Sequence, residues 1–214
     1  MLATKPFGVP VHALPLLGHG PRDRRRGQGS DYRLEAFADD LEAQIDALGL
    51  PPCALVAHSL GAFVASMVVA RSPHRFSRVL LEEIPVPAAR RTWRVPVAPH
   101  SALAMWLGAW WSRDHIDPHL VMPVLRQLSR PKPGWWRDWA DIDLPMLVVA
   151  GGKSSYLDQS RYPELVRVAR DARLVTIEAG HRVHIEAEDR FLDVAVPFLT
   201  GIERPASGWN HDMV

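Results

Sequence analysis

Apolar residues follow two patterns along this chain, and their alternation sets out the elements. Leu34, Phe37, Ala38, Leu41, Ile45 and Leu48 recur at helical spacing, while Glu35, Asp39, Asp40, Glu42 and Asp46 fall elsewhere. A surface helix is therefore predicted over residues 32–48, capped by Ser30 or Asp31 and ended by Gly49. Short continuous apolar runs predict buried strands at 53–57, 76–83 and 144–150. Weaker patterns predict strands at 9–17 and 173–178, the latter with Val175 and Ile177 alternating. Helices are predicted at 62–70, 102–111, 118–128, 160–170 and 186–199, with Ser72-Pro73 as a stop and Asp117-Pro118 as a start.

The stretch 53–63 carries the chemistry. A strand runs into Ala57-His58-Ser59-Leu60-Gly61, and a helix follows at once. A turn that sharp requires small residues two before and two after the serine, and Ala57 and Gly61 meet that requirement. Such a turn projects the hydroxyl beyond the carboxyl end of a sheet, where a helix N-terminus favours developing negative charge. The plainer reading is that Ser59 merely caps the helix.

Composition narrows the setting. With 214 residues, 47% apolar and 23% charged, the chain can bury one good core, and a net charge of +1 gives no reason to expect nucleic acid or an anionic membrane as partner. Cys53 has no second cysteine to pair with and reads as a small core residue, which fits a reducing, cytoplasmic setting. The opening residues lack a cleavage site, and no run reaches membrane-spanning length, so neither a leader nor a membrane span is expected. The Arg22-Asp23-Arg24-Arg25-Arg26 run reads as a solvated loop. Seven of the eight tryptophans lie in 88–140: Trp93, Trp106, Trp110, Trp111, Trp135, Trp136 and Trp139. They either pack that segment onto the core or line an apolar pocket.

The serine turn, with Gly18-His19-Gly20, Gly151-Gly152-Lys153-Ser154-Ser155 and Ala179-Gly180-His181, resembles the α/β-hydrolase superfamily over residues 9–200, and its small esterase-like serine hydrolases in particular. The resemblance implies an α/β fold: a mostly parallel sheet with helices on both faces, N-terminally shortened, with a small helical cap. It divides the chain into a first part of the core at 1–87, a Trp-rich cap at 88–140 and a second part of the core at 141–202, leaving 203–214 as a loose tail. It makes Ser59 the nucleophile, His181 the base, and the Leu60 N–H one oxyanion donor, with no cofactor. His58 orients the turn, and His184 is the competing base. The usual acid position after the seventh strand holds Ser154 and Ser155, which cannot carry charge. A subset of these esterases takes its acid from the end of the sixth strand, where Glu83 stands beside Glu82. Strand alternation lets only one of that pair reach the histidine, and Glu83 is chosen, with Asp158 as runner-up. A metal site of His181, His184 and Glu186 lacks the required spacing.

The family's third strand, with its His-Gly oxyanion loop, should precede residue 9. Either the sequence starts downstream of the true start, or it is a shortened protein with weak activity. Strand 53–57 would then pair with 9–17 or lack a neighbour, and an open edge would favour a homodimer. The expected activity is hydrolysis of a small-molecule carboxylic ester or related acyl substrate by a Ser-His-Glu triad. The alternatives are a silent binding protein of the same fold, or different chemistry on it, such as C–C bond hydrolysis or a cofactor-free peroxidase or lyase.

Overall fold

The computed structural model describes residues 9–20, 32–90 and 97–202. Ser30, Asp31, the Arg22–Arg26 run, Trp93 and the tail at 203–214 lie outside the described residues. In chain order the elements are α1 (Leu34–Leu48), β1 (Cys53–His58), α2 (Leu60–Arg71), β2 (Phe76–Glu82), α3 (Pro99–Trp111), α4 (Val121–Leu128), α5 (Pro133–Asp141), β3 (Met146–Ala150), α6 (Tyr162–Val168), β4 (Ala172–Thr176), α7 (Val183–Glu186) and α8 (Glu188–Thr200). The four strands form one parallel sheet in the order β1-β2-β3-β4. Parallel pairing requires crossovers, and the helices that supply them cover both faces.

Strand alternation divides the core in two. Val79 and Leu81 of β2, with Met146, Val148 and Ala150 of β3, face α1, α2, α5 and α6 in the larger cluster. Leu80, Leu147 and Val149 face the other way, onto Phe191 and Ala195 of α8 and Val183 of α7. A continuous apolar run is what a strand buried on both faces needs.

β1 departs from that pattern. Among the described residues it pairs only with β2, and Val56 is 48% exposed. Leu55 and Ala57 pack on the larger cluster, while Cys53 is half-buried rather than in the core. An edge strand with one solvated face can carry the same apolar run as a central one, so the run alone misplaced it.

The strand predicted at 9–17 does not form. Leu14, Leu16 and Leu17 pack against the larger cluster without joining a ladder. Pro10 and Pro15 have no N–H to donate, and the Pro15 carbonyl accepts from the Gln44 side chain at 3.0 Å. The Gly18-His19-Gly20 turn meets the cap instead: His19 bridges Ile116, and the Gly20 N–H donates to His115 O at 2.6 Å.

Helix α1 starts two residues later than predicted, because Tyr32 is a buried anchor whose hydroxyl donates to Asp117 Oδ2 at 2.6 Å. Gly49 ends it at φ 58, a left-handed conformation that glycine adopts without strain. The helix α5 was not predicted. Pro133-Gly134 and the polar Arg137 and Asp138 disguise it as a linker, yet Trp135 and Trp139 stand one turn apart and Pro133 opens it. Its tryptophans are packers. Trp135 stacks on Phe63 and donates to Ser66 Oγ, Trp136 donates to Pro87 O, and Trp139 donates to Leu165 O, each bond 2.9 Å long. Each thus buries its ring with its one donor satisfied. Trp111, at the end of α3, is instead 91% exposed.

Candidate active site

Ser59 occupies the single residue between β1 and α2, with φ 54 and ψ −125. Its N–H donates to Glu82 O at 2.9 Å, which carries the β1–β2 pairing into the turn. Its side chain makes no capping bond to the helix, so the capping reading of Ser59 fails. Instead Ser59 Oγ lies 2.9 Å from His181 Nε2.

His181 is delivered by the loop after β4. Gly180, at φ 88, and Ala179 both donate their N–H to Gly151 O, at 2.9 and 3.1 Å. The approach is so close that a Cβ on Gly151 would lie 1.9 Å from Gly180 O, so only glycine fits. His181 Nδ1 lies 3.1 Å from Glu83 Oε2. A carboxylate accepts, so Nδ1 carries the proton and Nε2 is free to take one from Ser59.

Glu83 follows β2 directly and is fully buried. Its N–H still donates to Val149 O, at 2.8 Å, while its backbone turns to φ 52. Ser59 and Glu83 are the two non-glycine residues with positive φ among the described residues. Such conformations cost on the order of 1–3 kcal/mol each and persist where the surroundings over-determine them. The Glu83 surroundings do so. Oε1 accepts from the Gly151 N–H and from Gln159 Nε2, both at 2.6 Å, and Oε2 accepts from Ser155 Oγ and His181. Four donors thus satisfy both oxygens of a carboxylate that burial removes from water.

Glu82 turns to the other side. It accepts from the His184 N–H at 3.0 Å and from His184 Nδ1 at 2.7 Å. That hydrogen bond holds His184 above the usual histidine range. Asp158 accepts from the Ser160 N–H and faces Arg161, and Glu186 pairs with Arg182. His58 Nε2 lies 2.7 Å from His181 O, and burial holds His58 below the usual range. His58, Glu82 and His184 offer ligand atoms within 4.8 Å of one another, a set that could hold a cation, but their hydrogen bonds already account for the grouping.

Sequence reasoning did not single out Tyr156 and Gln159, nor Ser155 as a partner of the acid. The Tyr156 ring packs 4.2 Å from the His181 ring, centroid to centroid. Burial, then the nearby Glu83 charge, pushes its hydroxyl up to about 12, so it stays protonated. The signal available for Ser155 was its place after β3, where it faces the sheet's carboxyl edge. The Leu60 N–H stands at the first position of α2.

A family model described as the alpha/beta hydrolase family matches residues 2–194. The chain belongs to that family. It is 26% identical over 215 residues to the sn-1-specific diacylglycerol lipase ABHD11 of Mus musculus, covering 79% of this chain and 66% of that one. It is 27% identical over 240 residues to the pimeloyl-acyl-carrier-protein methyl ester esterase of Neisseria meningitidis, covering 97% and 74%. This hydrolase-family chain thus spans about two thirds of the mouse relative's length. Among solved structures, the enol-lactonase from Burkholderia xenovorans aligns with a TM-score of 0.67 at 21% identity, covering 86% of this chain and 78% of the other. An esterase from Exiguobacterium antarcticum aligns at 0.70 and 16%, covering 86% and 79%. These likenesses establish the α/β-hydrolase fold. No helix among the described residues is long and apolar enough to cross a membrane.

Proposed function

We propose that this chain is a serine hydrolase of carboxylic esters or related small acyl compounds, working through Ser59, His181 and Glu83. The observation that carries the reading is the unbroken relay from Ser59 Oγ to His181 Nε2 at 2.9 Å and from His181 Nδ1 to Glu83 Oε2 at 3.1 Å. Esterase and lipase chemistry in the mouse and Neisseria relatives supports the substrate class.

In this reading Ser59 Oγ attacks the acyl carbon as His181 Nε2 takes its proton, and Glu83 stabilises the imidazolium through Nδ1. Charge on the carbonyl oxygen is met by the Leu60 N–H at the start of α2, and by the hydroxyl of Tyr156, whose ring packs beside that of His181. The imidazolium then protonates the leaving alcohol. Water, deprotonated by the same nitrogen, releases the acid and restores Ser59.

The test is hydrolysis of p-nitrophenyl acetate, with fluorophosphonate labelling followed by peptide mapping, on the wild type and Ser59→Ala. Turnover and a label on Ser59, both lost in the variant, are expected. A folded wild type that neither turns over nor takes the label would sink the proposal in favour of a silent binding protein.

A further inference from the structure

The carboxyl ends of β1 and β2 carry two acid–histidine pairs side by side. His58 stands opposite Glu82 in the parallel register, and Ser59 and Glu83 follow them. One pair, Glu83 with His181, faces the nucleophile. The other, Glu82 with His184, lies behind it and takes no part in the proton relay. Its carboxylate is 2% exposed, an expensive place for charge without a purpose.

Its contacts show what it holds. Glu82 Oε1 accepts from the His184 N–H at 3.0 Å, and its two oxygens lie 2.9 and 2.7 Å from His184 Nδ1. The His58 ring lies between, 4.6 Å from that of His181 and 5.1 Å from that of His184. A carbonyl can only accept, so the 2.7 Å contact from His58 Nε2 to His181 O fixes the His58 proton on Nε2. Upstream of His181 the loop is tied by backbone bonds to Gly151. Downstream, its ties to the strand ends are side-chain bonds from His58 and Glu82. The four-residue α7 that follows is too short to hold its own shape.

We propose that Glu82, His184 and His58 are positioning residues: they clamp the backbone at positions 181 and 184, and so set the distance from His181 Nε2 to Ser59. The proposal rests on the Ser59–His181 reading. Glu82 anchors the start of α7 through two donors of His184, and His58 anchors the His181 carbonyl. Loss of either tie frees the loop to drift. A misplacement of about 1 Å can cost about 100-fold in rate.

The experiment measures the rate of fluorophosphonate labelling at Ser59, with kcat and KM on p-nitrophenyl acetate, for His58→Leu, His58→Gln, His184→Leu and His184→Asn. An amide nitrogen reaches the place of Nε2 in His58→Gln, and the place of Nδ1 in His184→Asn. The leucine variants should label about 10- to 100-fold more slowly, with KM nearly unchanged, and the amide variants should regain most of that loss. Melting curves accompany each variant. If one leucine variant fails to fold, the pair at the other position decides. Leucine variants that label at the wild-type rate would overturn the proposal, as would amide variants no faster than leucine ones. A folded wild type that takes no label at Ser59 fails differently: it removes the nucleophile reading, and the clamp with it.

Discussion

Replacing Glu83 by glutamine changes one atom of the site and should reverse the His181 tautomer. The carboxylate has two unlike ends. Oε1 faces the Gly151 N–H and Gln159 Nε2, and the backbone donor cannot turn away. The carbonyl of the new amide must therefore take the Oε1 place, which puts its NH2 against Ser155 Oγ and His181 Nδ1. The serine hydroxyl can rotate to accept. The imidazole can accept only by giving up its Nδ1 proton, and the neutral ring then carries its proton on Nε2, facing Ser59. A base whose lone pair points away from the nucleophile is no base. Tautomer loss of this kind lowers kcat by about 10⁴-fold, or about 5 kcal/mol of transition-state stabilisation. Folding should survive, because shape and most hydrogen bonds are kept. All four bonds to the carboxylate lose their charge assistance, which costs at least about 1–3 kcal/mol and for a chain of this size lowers Tm by at least about 2–12 °C. The assay is kcat on p-nitrophenyl acetate beside a melting curve, with Glu82→Gln in parallel. A Glu83→Gln enzyme within about tenfold of wild type would refute the reasoning. A 10⁴-fold loss in Glu82→Gln instead would assign the acid to the wrong neighbour.

Tyr156→Phe should lower kcat by about 100-fold with little change in KM, since a donor to the oxyanion acts mainly in the transition state; steady-state kinetics would show otherwise if the loss were under about threefold. Stability should peak near the ordinary histidine value of 6.5. Above it the native chain holds the extra His184 proton, so stability falls as pH rises through the raised value. Below it the unfolded chain binds the proton that buried His58 resists, so stability falls as pH falls. Melting temperatures across pH 5–9 test this, and Glu82→Gln should flatten the alkaline limb. Trp139→Ala, at a site 1% exposed, should cost about 3–5 kcal/mol, whereas Trp111→Ala, 91% exposed, should stay within about 0.5 kcal/mol by denaturant unfolding.

Legibility in this chain followed how local each signal was. The serine turn is local: small residues at 57 and 61, an apolar run before and a helix after fix Ser59 between β1 and α2. Gly49 and the Pro118 start are local too. The strand predicted at 9–17 failed because a strand is defined by its partner, and nothing within nine residues says whether a partner exists. The open edge of β1 matches the neighbourless alternative for 53–57, which its apolar run alone could not choose. The helix α5 was missed although its tryptophan spacing is helical, because Pro133 and Gly134 stand where a linker would also place them. Tyr156 shows the other limit: no local pattern reveals that a loop tyrosine will pack against a histidine 25 positions later in the chain.

The two neighbouring acids show how a sequence can contain an answer without ranking it. Period-two alternation states that Glu82 and Glu83 point apart, and β2 and the turn after it do send them to different histidines. Alternation alone does not choose between them, because both are buried and both meet a histidine. The difference lies in what else each carboxylate accepts. The bonds to Glu83 come from Gly151, Ser155 and Gln159, all in the segment after β3, so β3 and its loop hold the carboxylate that faces His181. The bonds to Glu82 come from His184, so that carboxylate is tied to the segment just after His181. Serine cannot replace an aspartate as a charge, but Ser155 can hold the charge supplied from the neighbouring strand. That exchange explains how a chain with serines at the usual acid position still presents His181 with a fully ligated carboxylate.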